Sequence, residues 1–331
     1  MLKALRKVAV LVTGLVGGSV GAWILYSRTK IDHALPLPKA IDATQSEYIG
    51  RLTSRRISYY ADASGVGSPL VLIHSINAAG SAYEMKPIFE QYRGQRPVYA
   101  LELPGFGFSE RSDKVYSWQL YTDSIVEFLT DVVGEPADVI ALSLSNEFAA
   151  RAAHNHPDLF RSLTMISPSG FTARENKVAS QRASDDGNSN SAYSVLANPL
   201  WSQAFFDLLA TRFSIKYFLQ QSFEGEPDEG LMAYGFATTH QPGARYAPLY
   251  FVSGQLFSPD ILQSVYKYLS IPVLVIYDRD NFVRFDALSE VVGKYDNWQS
   301  ARIVPTMGLP HFEKLSEVRR VLDSFWEKLS I

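Results

Sequence analysis

The sequence predicts an α/β fold, a mainly parallel sheet covered by helices on both faces. Three observations predict it. Short apolar runs alternate with longer runs of helical spacing over most of the 331 residues. One interval, 171–269, breaks the alternation and is rich in aromatic residues. Finally, the apolar run 139–142 stops at Ser143 among small residues, and a helix-like run, 144–154, starts at once. Strands of a parallel sheet read as continuous apolar runs because both of their faces are covered.

The elements follow in order. Residues 1–7 carry Lys3, Arg6 and Lys7, and 8–26 form an uncharged run of 19 residues followed by Arg28 and Lys30. A helix needs about 20 apolar residues to cross a bilayer, so residues 1–30 are expected to be a signal anchor with the membrane partner at 8–26. The slight excess of positive charge before the run places the amino end in the cytoplasm. The expected localisation is therefore a single-pass membrane protein with its main domain on the non-cytoplasmic side. Residues 31–50, with Pro36 and Pro38 and no periodicity, read as a linker.

Strands are expected at 55–61, 69–74, 97–103, 139–142, 163–167, 271–277 and 302–304. Helices are expected at 81–92, through Met85, Ile88, Phe89 and Tyr92, and at 118–133, 144–154, 285–295 and 315–329. The core domain is thus assigned to 51–170 and 270–331. The interval 171–269 contains a polar segment, 184–191, and aromatic helical runs that include Trp201, Phe206, Phe213, Tyr217, Phe218 and Tyr234. It reads as a helical cap over the carboxyl ends of the strands, where ligands of open α/β sheets bind.

Composition narrows the chemistry. The net charge of −3 lacks the basic excess of a nucleic-acid binder. There are no cysteines, which excludes disulfides and thiolate chemistry. The six histidines lack the spacing of a metal site, so neither a metal nor another cofactor is expected.

Residues 139–147 have the form of a nucleophile elbow, a strand, a sharp turn and a helix with serine at the apex. Ala141 and Ser145 occupy the positions where glycine is usual, and both are small enough for strand and helix backbones to pass closely. Ser145 is the rival nucleophile, but its own neighbour two places on is Glu147. A serine alcohol needs a base, and the base needs an orienting group. His311 lies in a loop between the last strand and the last helix, at the sheet edge that carries the elbow. Asp278 and Asp280 follow the strand 271–277. The order Ser143, Asp280, His311 is one of the known triad orders.

Several stretches taken together resemble the α/β-hydrolase superfamily. Leu72-Ile73-His74-Ser75-Ile76-Asn77 is similar to the family's His-Gly-x loop. Leu101-Glu102-Leu103-Pro104-Gly105-Phe106-Gly107-Phe108-Ser109 is similar to its Asp-x-Pro-Gly-x-Gly-x-Ser stretch, with Glu102 for Asp. Asp280-Asn281-Phe282-Val283 resembles its acid turn, which selects Asp280 over Asp278. The resemblance covers about 55–329 and implies an eight-stranded α/β-hydrolase sheet with an inserted cap. It implies Ser143 as nucleophile, His311 as base, Asp280 as orienting acid, and an oxyanion hole from the backbone N–H groups of Ile76 and Leu144. His74 would be structural.

Two departures stand out. Ser75 replaces glycine in the oxyanion loop. The histidine motif is also irregular: the family has Gly-His, an apolar residue, Pro, a second His, and Glu two places later. If Glu313 sets the register, His311 aligns with that second histidine and the catalytic one is missing. If the loop is shortened, His311 is itself the base. The expected function is a membrane-anchored serine hydrolase, a carboxylic-ester hydrolase acting on a small or lipid-like apolar acyl substrate through an ester, thioester or related bond. The alternatives are carbon–carbon bond hydrolysis, acyl transfer, or a non-catalytic binding or scaffold role on the same fold.

Overall fold

The computed structural model describes residues 19–172 and 192–329. The first eighteen residues, and the polar segment expected at 184–191, lie outside this range. Eight strands form one sheet in the order β1-β2-β4-β3-β5-β6-β7-β8. They are β1 (Thr44–Ile49), β2 (Arg56–Asp62), β3 (Leu70–Ile73), β4 (Val98–Leu101), β5 (Ala137–Leu142), β6 (Phe160–Ile166), β7 (Val273–Tyr277) and β8 (Trp298–Arg302). β2 runs antiparallel to both β1 and β4, and every pairing from β4 to β8 is parallel.

Successive side chains of a strand point to opposite faces, and both faces here are apolar. Val71, Ile73, Val139, Ala141, Met165 and Val275 pack on one side. That side is covered by α2 (Trp118–Phe128), α3 (Ser145–Asn155) and α4 (Leu288–Lys294), through Ile125, Phe128, Phe148 and Val291. Leu70, Leu72, Ile140, Leu142 and Ile276 face the other way. They meet α1 (Lys86–Tyr92) and α5 (Leu315–Lys328) through Ile88, Phe89, Leu322 and Phe325. Ser117 caps α2 by accepting from Leu120 N at 3.1 Å. The helix expected to reach 133 changes at Leu129 into a wider π turn, which ends at Gly134 with φ +75°.

Between β6 and β7 the described residues contain no strand. They hold the cap helices Ser202–Leu209, Arg212–Gln220, Glu229–Thr239 and Tyr246–Val252. Cap aromatics divide into two groups: Phe206, Phe223 and Tyr234 are buried, while Trp201, Phe213, Tyr217 and Phe218 are exposed. Arg111 fastens the core to the cap, donating to Thr238 O at 2.7 Å and Thr238 Oγ1 at 2.8 Å.

Three expectations are corrected here. The stretch 31–50, read as a linker, holds β1, with Ala40 and Ile41 buried beside it. β1 is an edge strand of sequence TQSEYI, too polar to register as an apolar run. β8 lies at Trp298–Arg302, ahead of the expected 302–304, again because an edge strand with one half-exposed face is not continuously apolar.

The third correction concerns the membrane. Among the described residues no helix is long and apolar enough to cross a bilayer, which overturns the single-pass localisation. Residues 19–30 are helical and dock on the cap. Trp23 Nε1 donates to Ala204 O at 2.8 Å, and Ser27 Oγ to Asp207 Oδ2 at 2.6 Å. Arg28 donates to the carbonyls of Pro199 and Leu200. Just beyond the helix, His33 Nε2 pairs with Asp207 at 3.0 Å. Trp23, in the described part of the expected span, therefore makes a polar contact with protein, as do Ser27, Arg28 and His33 just beyond it.

Candidate active site

The site begins where β5 ends. Ser143 has φ +54°, the left-handed region that L residues seldom adopt, and it stands between β5 and α3. Such strain concentrates at functional positions held by their surroundings. Ser143 N donates to Ile166 O at 2.9 Å. The Asn146 amide donates back to Ser143 O at 2.8 Å and to Ile166 O at 3.1 Å. The turn is thus clamped to β6. No described side chain hydrogen-bonds the Ser143 hydroxyl.

The rival, Ser145, is buried and committed: its Oγ donates to His74 O at 2.6 Å. A serine in a glycine position therefore serves as a tie. It joins the first turn of α3 to the loop after β3, the two segments that carry the expected oxyanion donors. Ile76 and Leu144 are both buried, and among the described residues no internal acceptor takes either backbone N–H.

His74 is buried, with Nδ1 2.6 Å from Ser75 O and Nε2 accepting from Leu103 N at 3.0 Å. That pattern requires the neutral ring protonated at Nδ1. Burial lowers its pKa to about 4. It is a brace between β3 and the turn after β4. In that turn Glu102, which replaces the family's Asp, is fully buried and accepts from Phe108 N at 2.7 Å. Burial raises its pKa to about 7.

The longer acid fits because residue 107 is glycine. A Cβ on Gly107 would stand 1.9 Å from Glu102 Oε1, and φ there is +52°. Gly107→Ala should therefore destabilise the protein by about 2–4 kcal/mol, combining left-handed strain with a clash against a buried carboxylate. Denaturant unfolding checks this, and a loss below about 0.5 kcal/mol would contradict the packing described.

The two aspartates after β7 differ in their partners. Asp278 accepts from Arg302 Nε at 2.8 Å and Thr306 N at 2.9 Å, a structural pair. Asp280 Oδ1 accepts from Phe282 N at 2.6 Å and Val283 N at 3.2 Å, closing the turn. Burial raises its pKa despite these donors. It lines a hollow of about 280 Å³ with Thr172, Asn281, Phe282, Val283 and Arg284. A larger hollow, about 470 Å³, lies between residues 23–35 and the cap and is lined by none of the candidate catalytic residues.

His311 is not hydrogen-bonded to either expected partner. It is fully buried, and its Nε2 lies 2.7 Å from Glu84 O. Its Nδ1 is buried with no hydrogen-bond partner. Nε2 is thus the protonated nitrogen, because a carbonyl can only accept. Burial lowers the pKa to about 4. The reason lies in the loop. Glu313 anchors it by accepting from Met307 N at 2.8 Å, and Pro310 begins the short helix Pro310–Glu313. In that register Gly308 falls where the family has its catalytic histidine. A Cβ on Gly308 would stand 2.8 Å from Asp280 Oδ2. Asp280 is packed against Gly308, and His311 three places on is buried.

A model of the alpha/beta hydrolase family matches residues 70–320. This chain belongs to the alpha/beta hydrolase family. The sheet order and the elbow agree with that membership, as does the hydrolase class expected from the sequence. The Uncharacterized hydrolase YugF of Bacillus subtilis is 26% identical over 106 residues, 32% of this chain and 38% of that protein. The chain thus spans about two fifths of that relative's length. Similar solved structures include a membrane phospholipase A that is a bacterial virulence factor, at 16% identity and TM-score 0.67, covering 100% of this chain and 99% of that one. A thermophilic esterase from Thermogutta terrifontis has 14% identity and TM-score 0.63, covering 87% of this chain and 99% of that one. A serine hydrolase involved in carbazole degradation has 13% identity and TM-score 0.66, covering 86% and 99%. At such identities the likeness shows the fold alone.

Proposed function

We propose that this alpha/beta hydrolase cleaves an ester, thioester or related acyl bond through an acyl-enzyme on Ser143, without an imidazole base. The observation that carries the reading is Ser143 at φ +54° on the apex between β5 and α3, with the backbone N–H groups of Ile76 and Leu144 untaken among the described residues. The hydroxyl oxygen attacks the acyl carbon, and its proton passes to water or hydroxide. The carbonyl oxygen becomes an oxyanion facing the N–H groups of Ile76 and Leu144. As the tetrahedral intermediate collapses, the bond to the leaving group breaks, and the leaving group takes a proton from water. A water molecule then releases the acyl group as the acid. Asp280 keeps the acid position, but with Gly308 against it there is no imidazole for it to orient.

Enzymes of this design that lack one triad member retain about 10³–10⁴-fold catalysis over water, from the oxyanion hole and binding alone. The proposed enzyme is accordingly slow and favours activated esters. The aromatic-rich cap is consistent with an apolar acyl group. A second reading is favoured by one observation, the seating of His311 on Glu84 O. On that reading the fold binds an acyl ligand without cleaving it. Incubation with a fluorophosphonate and mass mapping separate the two. Slow, stoichiometric modification of Ser143 supports the hydrolase. Folded protein left unmodified after prolonged exposure would leave only the binding role.

A further inference from the structure

The loop that carries the Ile76 donor is held from one side by a single buried carboxylate. Glu84, in the short 3₁₀ helix Ala82–Met85, is buried and directs its carboxyl group at the residues flanking Ile76. Its Oε2 accepts from Ser75 N at 2.7 Å. Its Oε1 accepts from Ser75 Oγ at 3.0 Å and from the Asn77 amide at 2.8 Å. The Asn77 amide also donates to Ser75 Oγ at 2.6 Å, and Asn77 Oδ1 accepts from Ala79 N at 2.7 Å. Gly80 closes the far side of the loop, because a Cβ there would stand 2.6 Å from Ser75 O.

Glu84 is itself fixed at two points. Its backbone carbonyl accepts from His311 Nε2 at 2.7 Å. Its neighbour Tyr83 stacks on Tyr234 of the cap, with ring centroids 5.2 Å apart. With Ser75 N consumed by the carboxylate, the next N–H along the loop is that of Ile76. Only a carboxylate suits this place. Donors approach both oxygens, and an amide would turn an NH2 group toward one of them.

We propose that Glu84 is the positioning residue of the oxyanion pocket: it locks Ser75 and Asn77 so that Ile76 N–H points at the developing oxyanion, and His311 serves as its anchor. The proposal rests on the reading of Ser143 as nucleophile. It explains why Ser75 is tolerated where the family has glycine, since the extra hydroxyl finds the same carboxylate. It also assigns a task to the histidine that lies away from the acid.

The test compares wild type, Glu84→Gln and Asn77→Ala with p-nitrophenyl butyrate, and with a boronic acid that forms a tetrahedral adduct on serine. Loss of one oxyanion donor costs about 10²–10³-fold in kcat, and a misplaced donor less. Glu84→Gln should lower kcat by about 10–100-fold with KM within about twofold. Asn77→Ala, which removes the three Asn77 side-chain hydrogen bonds and leaves the carboxylate with its two ties to Ser75, should lower it by about 3–10-fold. Boronate affinity should fall in parallel with kcat, because the adduct oxygen uses the same donor. Either variant folded, with kcat and boronate affinity unchanged, would overturn the proposal. So would a rise in KM matching the fall in kcat, or a kcat loss with boronate affinity intact. If Glu84→Gln does not fold, Asn77→Ala carries the same comparison alone. Failure of the underlying reading looks different, since wild type itself would neither take up fluorophosphonate nor bind boronate at Ser143.

Discussion

Ser143→Ala is expected to abolish fluorophosphonate modification and acyl-enzyme formation and to lower ester turnover. What is left is at most the roughly 10³–10⁴-fold over water that the oxyanion hole and binding supply alone. The substitution removes one oxygen that no described side chain hydrogen-bonds, and alanine at φ +54° bears the same backbone strain as serine. Folding should therefore be nearly unchanged, with stability within about 0.5 kcal/mol of wild type. Turnover of p-nitrophenyl butyrate, together with a thermal melt, checks both halves. Turnover equal to wild type after the substitution would place the reaction elsewhere on the protein.

His311→Gln should change the acid stability of the protein more than its activity. Glutamine can still donate to Glu84 O but cannot take up a proton. In the wild type, burial holds the His311 pKa near 4, against 6.5 for the free group. The sign follows from linkage. Between these values the unfolded chain binds a proton that the folded chain does not, so stability falls as pH is lowered from about 6.5 to 4. A shift of this size corresponds to about 3 kcal/mol. The variant lacks that contribution, so its loss of stability between pH 7 and pH 4 should be smaller than wild type's by about 3 kcal/mol. Buried Glu102 and Glu147, whose pKa values are raised to about 7, act with the opposite sign. They are common to both proteins and cancel in the comparison. Denaturant titrations at the two pH values give the difference directly. A histidine charged by contact with Asp280 would have a raised pKa, and the difference would vanish or reverse.

The central parallel strands were legible because both of their faces are covered. Runs such as 139–142 and 271–277 are continuously apolar and end at their loops, so the elbow and the acid turn could be placed from them. The edges were not legible. β1 is polar and β8 half-exposed, and neither has a pattern apart from the neighbour it pairs with. The helix at 19–30 was misread for a related reason. A short apolar helix that docks on protein and one that lies in lipid have similar composition, and the contacts of Trp23 with Ala204 and of Ser27 with Asp207 are visible only in the tertiary structure.

At the site, residue types were readable and connections were not. Ser143 and Asp280 could be placed by order along the chain. Ser145 could be set aside as nucleophile, but its tie to the His74 carbonyl belongs to the tertiary structure. The spacing from Gly308 to Glu313 left two registers open. The contact of Gly308 with Asp280, and of His311 with Glu84, supports the register set by Glu313. Glu84 was missed entirely. In the run 81–92 it stands beside Lys86, Glu90 and Gln91, so nothing in the sequence sets it apart until the loop beside it is seen.

The central claim is acyl transfer at Ser143 without an imidazole base, and the pH dependence of acylation tests it most directly. The observable is kcat/KM for p-nitrophenyl butyrate from pH 5.5 to 8.5, in wild type and His311→Gln. The account predicts that the logarithm of the rate climbs steadily with pH in both proteins, with no inflection near 6–7. A sigmoid with a midpoint near 6–7 in wild type, lost in His311→Gln along with about 10³-fold or more of the rate, would contradict it and restore His311 as the base.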